Sequence, residues 1–280
     1  MDTNVKRVHL YHAGAHALGG HIERPFNQHI PVQAPLSLPP VGGHASSRVE
    51  GFDFNSAISF KAAYTHVSGS QSKKNGAWNT VASAVIEGLN ILNVFQVGRL
   101  VSQISTEHPA EGYIPKVTFV GSQFEDVRIG GFPVEIVLDL DICEWSGNGE
   151  YPDEACVRDK KFIDRVKAQR HGMHHPKSIP SWCKDKKVPH WVKDRYTWDN
   201  SATHAKDSVQ CSLVKEIRGE FPGRPFGHAF EVPEFGKVFL GELLVDATTF
   251  RLIMFRIELG CGNSGSTSGG GTDIEGRTYP

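Results

Sequence analysis

Apolar and polar residues alternate with a period of two through much of this chain, as in strands that bury one face and wet the other. Ile58, Phe60, Ala62 and Tyr64 interleave with Ser59, Lys61, Ala63 and Thr65. Val134, Ile136, Leu138, Leu140 and Ile142 interleave with Glu135, Asp139 and Asp141, Val137 being the exception. Between Val67 and Ala77 a polar run ends in Asn75-Gly76, a turn signal between two strands because both residues accept positive φ. The run from Phe250 to Leu259 is apolar on both faces apart from Arg251, Arg256 and Glu258, and predicts a central or doubly covered strand.

Three strings look like variants of one unit: Val49-Glu-Gly-Phe-Asp-Phe54, Ile86-Glu-Gly-Leu-Asn-Ile91 and Phe124-Glu-Asp-Val-Arg-Ile129. Their glutamates lie 37 and 38 positions apart, and each string is followed by a second apolar run, which predicts a repeated hairpin. Phe230-Glu-Val-Pro-Glu-Phe235 is a weaker echo. One segment changes period. Asp153 can cap a helix running to about Arg170, with Phe162, Ile163 and Val166 on one face, Lys167 and Arg170 suiting its C-terminal dipole, and Gly172 to close it. Pro176, Pro180 and Pro189 with Trp182, Trp191 and Trp198 then predict irregular, aromatic-packed chain, so residues 146–210 form a helix-bearing basic insertion. The Gly/Ser-rich stretch from Gly260 to Gly271 predicts a flexible tail over 260–280, after a single β-rich domain over 1–259. Within it Ile274-Glu-Gly-Arg277 spells a protease recognition string and receives no functional weight. The pattern therefore predicts a mainly β protein, an antiparallel β-sandwich or a short β-solenoid of repeated hairpins, with one helix-bearing insertion.

Length and charge narrow the functional classes. A chain of 280 residues with 39% apolar content can bury a sizeable core, which excludes disorder, collagen and coiled coil. The longest apolar stretches, such as Phe239 to Val245 interrupted by Gly241 and Glu242, fall short of the roughly 20 residues of a membrane helix, so no transmembrane segment is expected. No apolar core follows the basic pair near the N-terminus, which predicts a cytoplasmic protein with unconventional export as the other route. Five cysteines at wide spacings without CxxC predict free buried thiols. The net charge of −1 hides an asymmetry: Val157 to Tyr196 holds 12 Lys/Arg against 4 Asp/Glu, leaving the remainder acidic.

Candidate chemistry follows from these placements. His12 and His16 would share a face and chelate zinc if helical, but a strand separates them by about 13 Å. Asp139 and Asp141 on one strand face, about 7 Å apart with Glu144 beyond, are candidate calcium ligands or an acid/base pair, although alternating carboxylates are also how any sheet presents its solvent face. Gly260-Cys-Gly-Asn-Ser-Gly265 spells GxGxxG, but a Ser/Gly run follows where a phosphate-binding helix should start. No nucleophile elbow or P-loop occurs. The basic insertion mixes cations with aromatics, so Trp182, Lys187, Trp191, Arg195 and Trp198 are candidate contacts to an anionic polymer, glycan or nucleic acid. The hairpin from Ser56 to Ile86 also suits a membrane-inserting hairpin of a β-pore toxin.

The strings Ala34-Pro-Leu-Ser-Leu-Pro-Pro40, Val67-Ser-Gly-Ser70, Val85-Ile-Glu-Gly-Leu-Asn-Ile-Leu92 and Val127-Arg-Ile-Gly-Gly-Phe-Pro-Val134 resemble pieces of uncharacterised bacterial proteins. The Val-Glu-Gly-Leu-like and Ile-Gly-Gly-Phe-Pro-Val patterns are also similar to secreted, anchored bacterial β-repeat proteins. Neither resemblance implies an activity. The expectation is a non-enzymatic structural or binding protein that self-assembles as a homo-oligomer or recognises a polymer or protein partner, without a cofactor. The alternatives are a metal-dependent enzyme using zinc or calcium at His12, His16, Asp139 and Asp141, and the β-pore toxin.

Overall fold

The structure is a computed structural model that describes residues 7–25, 27–145, 147, 149–175, 187–195, 208–260, 262 and 264–279. Strands come first: β1 (Val8–Leu10), β2 (Ala13–Arg24), β3 (Gln28–Gln33), β4 (Leu36–Ser37), β5 (Gly43–Phe54), β6 (Ile58–Gln71), β7 (Trp78–Ile91), β8 (Phe95–His108), β9 (Lys116–Thr118), β10 (Gln123–Ile129) and β11 (Phe132–Leu138). Helices α1 (Lys160–His174) and α2 (His190–Arg195) follow. The chain ends in β12 (Ser208–Ser212), β13 (Val214–Arg218), β14 (Arg224–Phe226), β15 (Ala229–Val232), β16 (Gly236–Asp246), β17 (Thr249–Gly260), β18 (Ser264–Glu275) and β19 (Arg277–Tyr279).

Two antiparallel sheets pack face to face, the sandwich of the two architectures the pattern allowed. One has the order β13-β11-β10-β8-β7-β6-β5, with β9 beside β8. The other runs β14-β15-β16-β17-β18-β2-β3, with β12 beside β16 and β4 beside β2. β1 and β19 form a small separate ribbon. The shared core takes Ala82, Ile86, Leu100 and Ile104 from the first sheet and Leu18, Leu252, Phe255 and Ile257 from the second, with Phe95 and Phe255 ring centroids 5.8 Å apart across it.

A row of backbone irregularities crosses each sheet at one level. In the first sheet it passes through Gly51, Lys61, Gly88, Gly98 and Asp126, and Gly51, Gly88 and Asp126, on alternate strands, have φ of +67°, +65° and +52°. The ladder keeps its register on both sides: Glu87 opposes Arg99 and Leu89 opposes Val97. The buried set nevertheless changes parity, from Ala82, Ala84 and Ile86 to Leu89 and Ile91 in β7, and from Phe95 and Val97 to Leu100, Ser102 and Ile104 in β8. The second sheet does the same along Gly241, Met254, Gly270 and Ala17, with φ of +58° at Gly241 and +61° at Gly270. β17 is central, as expected. It reads as apolar on both faces because its core set switches from Phe250 and Leu252 to Phe255, Ile257 and Leu259.

The Glu-Gly and Glu-Asp pairs of the three similar strings occupy this row, and each string runs into a two-residue turn. Asn55 and Ser56, Leu92 and Asn93, and Gly130 and Gly131 all have positive φ, the geometry that matches the right-handed twist of hairpin strands. The hairpins so formed are β5–β6, β7–β8 and β10–β11.

Three expectations are corrected. Residues 264–275 are no tail: β18 lies between β17 and β2 in the sheet interior, with Thr267, Thr272 and Ile274 buried. Its glycines serve close packing, since a Cβ on Gly269 would stand 2.6 Å from the Ala17 carbonyl oxygen. The helix begins later than Asp153, at Lys160, because the buried Asp159 carboxylate accepts the Phe162 N–H at 3.0 Å, and it continues through Gly172 to His174. The strand read as reaching Ile142 ends at Leu138, where its register to β13 shifts and the Asp139 N–H turns to the Leu213 carbonyl at 2.7 Å.

Candidate functional site

Helix α1 is amphipathic by position. Phe162, Val166 and Met173 point into the protein, while Lys160, Lys161, Asp164, Lys167 and His171 are exposed. Polar side chains seat it on β12. Gln169 completes the strand edge like a backbone unit, donating from Nε2 to the Ser212 carbonyl at 2.6 Å and accepting the Ser212 N–H at 3.1 Å, and Arg170 donates to the Gln210 carbonyl at 2.9 Å. Between α1 and strands β13 and β14 lies a cleft of about 500 Å³, lined by Asp139, Arg165, Gln169, Lys215, Glu216 and His228 among others. Ala168, Val214, Ile217 and Pro225 make much of its wall apolar.

Beneath α2 sits a buried ionic cluster. Glu242 on β16, 7% exposed, accepts two hydrogen bonds from Arg256 of β17, Nε at 2.7 Å and Nη2 at 3.1 Å, and a third from Arg195 of α2 at 2.9 Å. Burial alone would raise the Glu242 pKa, but the two guanidiniums outweigh it and hold the carboxyl below its ordinary value. Both arginines also lie over the Phe239 ring, at 3.8 Å for Arg256 and 4.8 Å for Arg195, and Trp191 packs edge-on against Phe239 and Phe226. Glu242→Ala would take their common acceptor from Arg256, whose side chain is 17% exposed, and from Arg195, which is 33% exposed. It is expected to cost about 1.5–3 kcal/mol of stability, read as the shift of the urea unfolding midpoint.

These positions redefine the candidate contacts. Trp191 and Arg195 are brought together on α2, Trp191 half-buried against Phe226 and Phe239 and Arg195 exposed while bonding Glu242 beneath. Lys187 is exposed, and its carbonyl accepts a bond from Arg224 at 2.9 Å. Trp182 and Trp198 lie outside the described residues. His12 is exposed ahead of β2 and His16 lies within that strand, half-buried, which is the extended spacing rather than the chelating one. Asp139 pairs with Arg165 at 3.8 Å, and the Asp141 carbonyl accepts from the same guanidinium. Among the described residues no three His, Cys, Asp or Glu side chains are placed to hold a metal ion. Cys143, Cys156 and Cys211 are free thiols, and burial raises the pKa of Cys143 and Cys211.

Two groups escaped the sequence reading. One is the Glu242–Arg256 pair, signalled only by isolated charges inside apolar runs, which must find partners when buried. The other is a pair of buried imidazoles at the β1–β19 ribbon. His9 and His108 have ring centroids 4.5 Å apart, and His9 stacks on Trp78 at 5.4 Å and bonds the Thr278 hydroxyl at 3.0 Å. Neither ring nitrogen of His108 makes a well-formed hydrogen bond.

A family model described as a domain of unknown function, DUF8256, matches residues 9–246, most of the chain. The chain belongs to the DUF8256 family. No curated protein and no solved structure matches it. The DUF8256 match spans β1 to the end of β16 and so takes in α1, the cleft and Glu242, whereas Arg256 and strands β17 to β19 lie beyond it. None of the described helices is long and apolar enough to cross a membrane.

Proposed function

We propose that this protein is a non-enzymatic binding protein that recognises an anionic polymer through the cationic outer face of α1. The observation that carries the reading is the direction of that face. Phe162, Val166 and Met173 anchor the inner side, so Lys160, Lys161 and Lys167, with Arg158 just ahead, are presented outward with Asp164 as the helix's sole acid. In the adjoining cleft Asp139 and Glu216 balance Arg165 and Lys215, so the cationic contact is the helix's outer face alone. The packed position of Trp191 favours reading by charge over stacking of bases, and so a polyanion such as a sulfated glycan. The common plan of the three hairpins supports an internal repeat that supplies the scaffold.

The test is binding of heparin, with single-stranded DNA as the second polyanion, across a salt series. The wild type should bind heparin with affinity that falls steeply with salt. The variant K160A/K161A/K167A should lower the magnitude of the slope of log K against log salt by about 2. Salt-insensitive binding, or a triple variant that binds like the wild type, would overturn the reading. Equal slopes and affinities for DNA would reassign the polymer.

A further inference from the structure

Beside the short β4 and β9 and the β12 edge that Gln169 covers, the strand orders of the two large sheets end in four strands, and three of these carry the features that discourage pairing with another chain. β14 has three residues including Pro225, β3 contains Pro31, and the five-residue β13 carries Lys215, Glu216 and Arg218. The fourth edge, β5, differs. It is 12 residues long and has neither proline nor lysine, and it is paired along its length with β6 on one side. Among the described residues no strand pairs with its other side. Its inward side chains Ala45, Val49, Phe52 and Phe54 are only half-buried at the open rim of the core, and Val41, two residues ahead of the strand, is 88% exposed. The positive φ at Gly51 is no barrier to a further strand, because Gly88 has the same conformation and its strand is paired on both sides.

We propose that a second copy of this chain pairs antiparallel along β5, extending the sheet across a two-fold axis at Val49. The sequence of the edge selects this occupant. With Val49 opposite Val49 of the copy, Arg48 of each chain faces Glu50 of the other, so the strand is complementary to itself. In one chain these two side chains pair with each other at 2.7 Å while 66% and 67% exposed, and the dimer would exchange that solvated contact for two cross-strand ones. The apolar rim of the copy would cover Val49 and Phe52. This interface lies apart from α1 and does not depend on the polyanion reading.

The experiment is light scattering coupled to size-exclusion chromatography on the whole protein over a concentration series. The wild type should elute with the mass of a dimer. Arg48→Glu and Glu50→Arg, both at exposed positions that leave the core untouched, should each weaken self-association at least about tenfold, because each sets like charges against one another twice per dimer. An equimolar mixture of the two variants should recover the dimer, since positions 48 and 50 are then both acidic in one chain and face the same two positions, both arginine, in the other. A wild type that stays monomeric throughout, or single variants that dimerise like the wild type, would overturn the interface. A mixture that stays monomeric while the wild type dimerises would overturn the proposed register.

Discussion

A chain ended after Gly260 is expected not to fold. The missing segment contains β18, which bridges β17 and β2 in the middle of the nine-stranded sheet: Leu252 opposes Thr272 on one side, and Ala15 opposes the same residue on the other. Without it β2, β3 and β4 lose the only ladder connection that the described residues give them to β14 through β17. Two buried groups left behind, the Gly19 carbonyl and the Ser102 hydroxyl, lose their partners as well. Thr267 donates to the Gly19 carbonyl at 3.0 Å, and Thr272 meets Ser102 of the opposite sheet at 2.8 Å. An unpaired gap across the sheet interior exposes enough backbone and apolar surface to exceed the whole stability of a typical domain, about 5–15 kcal/mol. Near-UV circular dichroism and urea titration of the shortened chain should show no cooperative transition. A milder version tests the packing account of the glycines. In Gly269→Ala the new methyl would meet the Ala17 carbonyl and the Phe255 ring at 2.6 Å, for an expected loss of about 1–3 kcal/mol. A shortened chain that unfolds cooperatively would instead show that residues 1–260, the DUF8256 match together with β17, are a sufficient folding unit.

That same strand marks where the sequence stopped being legible. Alternation exposed β6, the first half of β11 and the β6–β7 turn as elements, because each depends on neighbours a few residues away. Past Lys61, however, it gave β6 the wrong inner face: Ala63, Thr65 and Val67 are buried and Tyr64 is not. Serine and glycine in β18 carry two opposite meanings, freedom in a linker and lack of bulk in a crowded sheet. Which one holds depends on Phe255, His16 and Leu100 crowding the strand from elsewhere in the chain. The parity switch at the positive-φ rows blurred the rest. A strict two-residue period fails across Glu87-Gly88 and Met254-Phe255, so a strand with one buried set in each half looked uniformly apolar. The site was legible at the level of charge, since the basic insertion was visible as a count. The assignment of Trp191 and Arg195 to packing was not, because their partners Phe239 and Glu242 lie more than forty positions away.

The protein should lose stability steeply between pH 6.5 and about 4, before its carboxylates titrate. Three buried histidines dominate this window, and burial lowers the half-buried His16 as well. Burial depresses His9 to about 4, burial and then the positive charge of His9 depress His108 to about 3, and burial depresses His228 to about 4. For His228 the nearby Glu242 partly opposes the shift, while Arg195, Arg256 and Arg170 reinforce it. Each ring is neutral in the fold but takes up a proton near its ordinary value of 6.5 when the chain unfolds. The unfolded state therefore binds more protons throughout the window, and stability is complete above pH 6.5 and falls as pH drops towards the folded values. Each histidine contributes a slope of about 1.4 kcal/mol per pH unit there, so three together give about 4. Over two units this approaches the stability of a typical domain, and the acid transition should lie near pH 4–5. His108→Phe removes one titrating ring, and with it two buried nitrogens that lack a well-formed bond, while keeping an aromatic against His9. It should leave stability at pH 7.5 unchanged or raised, cut the slope to about 3 kcal/mol per pH unit, and move the acid transition lower. Urea titrations at half-unit intervals measure the slope directly. An unchanged slope in His108→Phe would overturn this account of the window, because Glu242, held below its ordinary carboxylate value, withdraws stability only at lower pH.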